Sequence, residues 1–132
     1  MDDVGYITGA VRYLQQKYAV APERTFGVGH SNGAIMMQTM SCLTDLFTEV
    51  ATLAGTLMVE TPSCPAARNH TIYNYHGALD ENLPITGGSG TKGVTNIHFT
   101  SQARAKALFD GLTIGERLAR DLRLGSGTDP NR

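Results

Sequence analysis

The pentapeptide Gly29-His30-Ser31-Asn32-Gly33 constrains the fold more than any other part of this sequence. It follows a short apolar run of strand-forming residues and glycine, Thr25 to Gly29, and it opens a segment from Ala34 to Cys42 that is typical of a helix. The pattern G-x-S-x-G between a strand and a helix is typical of a serine nucleophile held on a sharp, strained turn. We therefore predict that Ser31 is a nucleophile and that the backbone N–H of Asn32 donates to a developing oxyanion.

The same pentapeptide has a structural alternative. A glycine-rich turn can carry a serine whose hydroxyl caps the following helix and does no chemistry. On the catalytic interpretation, Gly29 and Gly33 are both needed because side chains there would collide with the neighbouring strand and helix.

Two further apolar segments predict the remaining strands. Val50 to Ala54 and Thr71 to Tyr75 are each too short for a helix and are bounded by turn residues. Strands separated by helices or long connections favour parallel crossovers, so the predicted fold class is α/β, with three parallel strands flanked by helices.

Periodic apolar residues predict the helices. The first helix spans Asp2 to Tyr18 and stops at Ala21-Pro22, and a later helix spans Thr100 to Phe109. The stripe expected on the first helix consists of Val4, Ile7, Val11, Leu14 and Tyr18. The residues expected to face inward on the later helix are Ala103, Ala107 and Leu108, and a final amphipathic helix carries Ile114, Leu118 and Leu122.

An aspartate follows the third predicted strand within the segment His76-Gly77-Ala78-Leu79-Asp80. Groups just past the ends of parallel strands meet at the sheet edge where ligands bind. Asp80 is therefore a candidate acid for a Ser31 triad, and a solvent-exposed loop aspartate is the alternative.

Four segments, taken in order, resemble one branch of a known superfamily. They are Asp2–Ile7, Ala21–Ala34, Val50–Gly55 and His76–Asp80. Together they are similar to the α/β-hydrolase esterases that include polyhydroxybutyrate depolymerases and feruloyl or acetyl-xylan esterases. The resemblance implies Ser31 as nucleophile, Asp80 as triad acid and Asn32 at the oxyanion hole, with small or polymeric carboxylic esters as substrates.

The same resemblance implies further properties. It implies hydrolysis through an acyl-enzyme without a metal or organic cofactor, and an extracellular or periplasmic location. It also suggests a disulfide between Cys42 and Cys64. The cysteines alone leave open whether the chain occupies a reducing or an oxidising compartment.

The chain departs from this family at both ends. We therefore expect a partial α/β-hydrolase fold that lacks the family's strands before Asp2 and its last strand. In this expectation residues 1–112 are an incomplete core and residues 113–132 are a divergent helix and tail. A truncated or frame-shifted gene product would have this organisation. We also expect that the sheet edge left open could mediate self-association.

The catalytic base is the weakest part of the predicted site. His98 is the only histidine after Asp80 and is the candidate base. His30 is expected to be a packing or rim residue, His76 to have a structural role, and His70 to lie toward the opposite edge of the sheet. Without a base, turnover should fall on the order of 10^4 below that of an intact triad. The chain would then be an inactive remnant or a binding module.

Composition excludes two other classes of protein. The 132 residues carry 11 Lys and Arg against 12 Asp and Glu, so the net charge of −1 leaves no basic field for nucleic acid. No apolar run approaches the roughly 20 residues of a membrane span.

Overall fold

A computed structural model describes residues 1–60, 63–66 and 70–110 of the chain. The elements in chain order are α1 (Asp3–Tyr18), a 3-10 turn (Pro22–Arg24), β1 (Phe26–His30), α2 (Asn32–Leu43), β2 (Glu49–Leu53), β3 (Thr71–Tyr75) and α3 (Gln102–Asp110). The strands form one parallel sheet in the order β1-β2-β3. This confirms the predicted α/β class with three parallel strands. The final helix predicted at Ile114, Leu118 and Leu122 lies outside the described residues.

Two strands are shifted by one residue from their predicted bounds. Thr25 belongs to the preceding turn because its N–H bonds the Pro22 carbonyl oxygen at 3.1 Å. The pairing of β1 with β2 continues to His30, opposite Leu53. The second strand ends there because Ala54 has a left-handed backbone with φ 56°.

The first helix ends at Tyr18, as the sequence predicts, and begins one residue later than predicted, at Asp3. Its N-cap is Asp2, whose Oδ1 accepts the Gly5 N–H at 2.8 Å. Its C-cap is Ala19, which adopts a left-handed conformation with φ 52° and ends the helix before Ala21-Pro22 is reached. A left-handed residue at the C-cap lets backbone N–H groups at the helix end bond the last free carbonyl groups of the helix.

Only part of the stripe predicted on α1 packs inward. Val4, Ile7 and Val11 contact the apolar core, whereas Leu14 and Tyr18 are 48% and 65% exposed. The expectation of one buried stripe was therefore wrong for its C-terminal half. Leu14 and Tyr18 lie along a groove beside β1, which has no strand on its outer side within the described residues.

An apolar cluster joins the sheet to α2 and α3. Its buried members are Met40, Cys42, Leu46, Phe47, Val50, Leu57, Cys64, Ile72, Ala105 and Phe109. The inward face of α3 differs from the prediction, because Gln102, Ala105 and Phe109 are buried whereas Ala103 and Ala107 are exposed. The predicted inward position of Leu108 is half-buried against the cluster. The helix is rotated relative to the prediction because the Gln102 amide has its hydrogen-bond partners inside the protein.

A disulfide joins Cys42, near the end of α2, to Cys64 in the connection before β3. The two Cα atoms are 4.3 Å apart and the residues are separated by 22 positions. Closing a loop of this size in the unfolded chain stabilises the folded state by about 3 kcal/mol. Persistent disulfides are typical of oxidising compartments.

None of the helices in the described ranges is long and apolar enough to cross a bilayer.

His70 precedes β3 and lies at the amino-terminal edge of the sheet, as the sequence predicts, and its side chain is buried there. Burial lowers the pKa of His70 from its usual 6.5, and a hydrogen bond to the Ser41 backbone and the charge of Asp45 oppose this shift only in part. The unfolded chain therefore binds a proton at a pH where the folded chain does not.

This difference predicts an acid-sensitive stability. The contribution of His70 is complete above its unfolded pKa of 6.5 and is lost as the pH falls through its lower folded pKa. Urea unfolding should show a free energy of unfolding that decreases more steeply from about pH 7 to about pH 5 in the wild type than in His70→Gln. Equal slopes for the two proteins would contradict the assignment.

Candidate active site

Ser31 has the most unusual backbone in the site. It lies between the last residue of β1 and the first residue of α2, with φ 55° and ψ −116°, and it is exposed. Holding a non-glycine residue in a sparsely populated region of φ/ψ space costs on the order of 1–3 kcal/mol of folding free energy. Such a backbone conformation persists only where surrounding contacts fix it. Here the Ser31 N–H donates to the Leu53 carbonyl at 2.8 Å, and its own carbonyl accepts the Ile35 N–H at 3.1 Å.

The hydroxyl of Ser31 does not cap the helix that follows it. Ser31 occupies the N-cap position of α2, but its side chain makes no capping hydrogen bond. Asp2, by contrast, caps α1 with its carboxylate. The helix-capping alternative for Ser31 therefore has no geometric support.

Gly29 and Gly33 differ in whether a side chain would fit at their positions. A Cβ on Gly29 would collide with the Gly33 carbonyl group and would lie 2.7 Å from the backbone nitrogen of Ala34. A Cβ on Gly33 would meet nothing within 4 Å, so the expectation that Gly33 is sterically required was wrong. Gly33 lies inside α2 at a position that faces open space.

Gly55 is a second position that requires glycine, and the sequence patterns did not predict it. A Cβ on Gly55, just after β2, would overlap Ala34 and would lie 3.0 Å from both the Ser31 carbonyl oxygen and the Ile35 nitrogen. Gly29 and Gly55 together allow the start of α2 to approach the sheet closely. The signal for Gly55 was a glycine directly after a predicted strand.

The two glycines of the motif give a matched pair of variants. Gly29→Ala forces backbone atoms apart and should lower the free energy of unfolding by about 1–3 kcal/mol or more. Gly33→Ala adds a methyl group to open space and removes a flexible residue from a helix, so stability should be unchanged or higher by up to about 1 kcal/mol. Thermal unfolding of both variants checks this, and similar losses in both would refute the close approach at Gly29.

A cleft of about 450 Å³ opens in front of Ser31. Its lining consists of Ser31, Asn32, Ile35, Asn82, Leu83, Gly93, Val94, Ile97 and Phe99. The walls are mostly apolar, and none of these described residues is ionisable. Such a lining suits a neutral, apolar group beside the serine.

Asn32 is the first residue of α2 and lines the same cleft. A backbone N–H at this position has no acceptor within its helix, and the helix dipole makes this end partially positive. The geometry is thus compatible with the predicted oxyanion donor.

Asp80 is held by its own loop. Its Oδ1 accepts the N–H groups of Asn82 and Leu83, each at 2.9 Å, and its Oδ2 lies 3.7 Å from His76 Nε2. The side chain is 15% exposed. Two of its donors are backbone groups, so the orientation of this carboxylate is fixed.

Asp80 and Ser31 lie beyond the carboxyl ends of strands two positions apart, which corresponds to roughly 10 Å between strand axes. Asp80 lines a separate depression with Leu79, Glu81, Pro84 and Thr91. The structure therefore places the two residues at one sheet edge but not together in one cleft. Leu83 links them, because it lines the Ser31 cleft and its N–H binds Asp80.

No histidine lines the Ser31 cleft in the described part of the chain. His98 is exposed, and its neighbours Ile97 and Phe99 line the cleft where His98 does not. His30 is exposed at the end of β1, and His76 is buried with Nε2 2.7 Å from the Leu83 carbonyl oxygen. The assignment of His98 as base stays a prediction.

A buried polar chain behind the site was not predicted. It contains Gln38 from α2, Thr52 from β2, Asn74 from β3 and Gln102 from α3, each at most 2% exposed. Thr52 donates to Asn74 Oδ1 at 2.8 Å, and Asn74 Nδ2 donates to Gln102 Oε1 at 2.9 Å. The sequence signal that could have predicted the burial of Asn74 was strand alternation, because Asn74 lies between Ile72 and His76 on the inward face.

The described residues contain no group of three or more His, Cys, Asp or Glu side chains placed to hold a metal ion. Comparison with known proteins found no matching protein-family model, no matching curated protein and no matching solved structure.

Proposed function

We propose that this chain is the core of a serine esterase that acts on carboxylic esters. Its type is that of the polyhydroxyalkanoate depolymerases and the feruloyl or acetyl-xylan esterases. The observation that carries the proposal is the Ser31 backbone, held at φ 55° with an exposed and uncapped side chain between β1 and α2. This strained strand-to-helix turn is the geometry that a serine nucleophile of this kind uses.

The proposed reaction follows from the site. The Ser31 Oγ attacks the ester carbonyl carbon, and the Asn32 N–H stabilises the oxyanion. The carbon–oxygen bond to the alcohol breaks, the serine proton passes to the departing alcohol by way of a base, and an acyl-enzyme remains. Water then releases the carboxylic acid and restores the serine.

Two further observations support parts of this proposal. The apolar walls of the cleft, among them Ile35, Leu83 and Phe99, suit an uncharged acyl or alcohol group. The Cys42–Cys64 disulfide supports an extracellular or periplasmic location.

Acyl transfer to Ser31 is the direct test. With p-nitrophenyl acetate, the wild type should release p-nitrophenol faster than Ser31→Ala and should gain one acetyl group on Ser31, detected by peptide mass mapping. Because no histidine lines the cleft in the described residues, turnover should lie on the order of 10^4 below that of an intact triad.

Ser89, which is exposed in the glycine-rich segment Gly87–Gly90, provides the matched control. Ser89→Ala should retain acetylation at Ser31. Identical rates for the wild type and Ser31→Ala would instead favour a non-catalytic remnant or a binding module. If His98 is the base, His98→Ala should slow acetylation as strongly as Ser31→Ala.

A specific observation favours self-association as a second candidate function. Within the described residues, β1 pairs only with β2, and its residues Phe26 and Val28 are 58% and 81% exposed. They line a groove of about 560 Å³ with Leu14, Tyr18 and Val20 of the first helix and its following turn. Unpaired strand edges of this kind recruit a second copy of a chain.

Sedimentation velocity tests this candidate. The wild type should form dimers as concentration rises, and Val28→Lys should weaken the dimer at least tenfold, or about 1.4 kcal/mol. Leu79→Lys is the control, because Leu79 is 84% exposed on the Asp80 loop away from this edge. A wild type that stays monomeric at all concentrations would eliminate the candidate.

A further inference from the structure

Both polar atoms of the Gln102 amide have hydrogen-bond partners inside the protein. Its Nε2 donates to the Gly55 carbonyl at 2.7 Å and lies 3.2 Å from His76 Nδ1, and its Oε1 accepts from Asn74 at 2.9 Å. The side chain is 2% exposed. The amide cannot be reversed, because its oxygen would then face the Gly55 carbonyl oxygen.

The orientation of Gln102 and the Leu83 carbonyl together determine the proton position on His76. An amide NH2 group can only donate, so Nδ1 of His76 is an acceptor. The ring proton then belongs to Nε2, which lies 2.7 Å from the carbonyl oxygen of Leu83. Each end of the ring thus has a partner of the complementary type.

His76 in turn holds the loop that orients Asp80. The Leu83 carbonyl accepts from His76, and the Leu83 N–H donates to Asp80 Oδ1 at 2.9 Å. A second N–H, from Asn82, binds the same carboxylate oxygen. A change in the tautomer of His76 would therefore release Leu83 and, with it, the Asp80 carboxylate.

The same amide nitrogen of Gln102 also bonds Gly55, the residue packed against the start of α2. The Gly55 carbonyl, which Gln102 binds, belongs to a residue whose Cβ, if it had one, would lie 3.0 Å from the Ser31 carbonyl oxygen and from the Ile35 nitrogen. One side chain on α3 therefore connects the neighbourhood of the nucleophile with that of the acid.

We propose that Gln102 is a positioning residue that fixes the Asp80 loop relative to Ser31 by holding His76 in its Nε2–H tautomer. This assignment rests on the proposed esterase function for its catalytic meaning. Its structural content, the tautomer and the loop geometry, can be measured without any activity.

The first experiment uses the wild-type chain. A two-dimensional ¹H–¹⁵N spectrum of the histidine rings should show His76 with its proton on Nε2 and with Nδ1 unprotonated. A proton on Nδ1 would overturn the proposal, and this measurement needs no variant that could fail to fold.

The second experiment compares Gln102→Met with Thr52→Val by amide hydrogen exchange. Gln102→Met keeps the volume and removes the hydrogen bonds, so the Asn82 and Leu83 amides should exchange at least tenfold faster relative to the amides of β1, a strand that carries neither substitution. Thr52→Val breaks the same buried chain away from His76 and should leave that ratio unchanged. An unchanged ratio in folded Gln102→Met, or an equal rise in both variants, would overturn the proposal.

Activity separates the two proposals. Ser31 acetylation in Gln102→Met should fall several-fold more than in Thr52→Val. If the wild type shows no acetylation that depends on Ser31, the esterase function fails while the exchange result still decides the structural role of Gln102. If Ser31 is acetylated equally in both variants, the positioning role fails and the esterase function stands.

Discussion

The close approach of α2 to the end of the sheet is the constraint on which the rest of the site depends. Neither Gly29 nor Gly55 has room for a Cβ, because the Gly33 carbonyl group and the Ala34 Cβ, both in the first turn of α2, occupy the respective spaces. Ser31 lies between these contacts and is tied to Leu53 by a 2.8 Å hydrogen bond. Its left-handed backbone follows from this packing, since the chain must turn from strand to helix within one residue.

The interior combines an apolar cluster with a polar chain, and the two have different physical roles. Burying apolar groups such as Met40, Ile72 and Phe109 stabilises the fold without fixing one arrangement of loops. Burying an amide side chain costs free energy unless its hydrogen bonds are made. The hydrogen-bonded side chains of Asn74 and Gln102 can therefore adopt few arrangements. The polar chain therefore provides orientation, and the apolar cluster and the disulfide provide stability.

Within the described residues, no strand pairs with the outer side of β1. Phe26 and Val28 are exposed on the strand that leads to Ser31, and Leu14 and Tyr18 are exposed beside it. An apolar face next to an unpaired strand is the type of surface that another strand or a second copy of the chain covers.

Local sequence patterns predicted the elements, because strand and helix periodicities and turn residues act over short distances. The strand-turn-helix at Ser31, the three strands and the position of Asp80 after β3 all followed from such patterns. The predicted burial was wrong where contacts between residues far apart in the sequence determine which side chains face inward. Leu14 is exposed because of the open edge beside β1, and Gln102 faces inward because its partners come from β3, Gly55 and His76.

The sequence by itself determined the α/β class, the turn that carries Ser31 and the sheet edge to which Asp80 belongs. Only the tertiary structure decided which motif glycine is sterically required, which face of α3 is buried and how the Asp80 carboxylate is oriented. The reason is physical: periodicity records which residues prefer burial, whereas a steric clash or a buried hydrogen bond depends on atoms far away in the chain. Gly33 and Gln102 show the difference, since neither carries in its own neighbourhood the information that fixes its role.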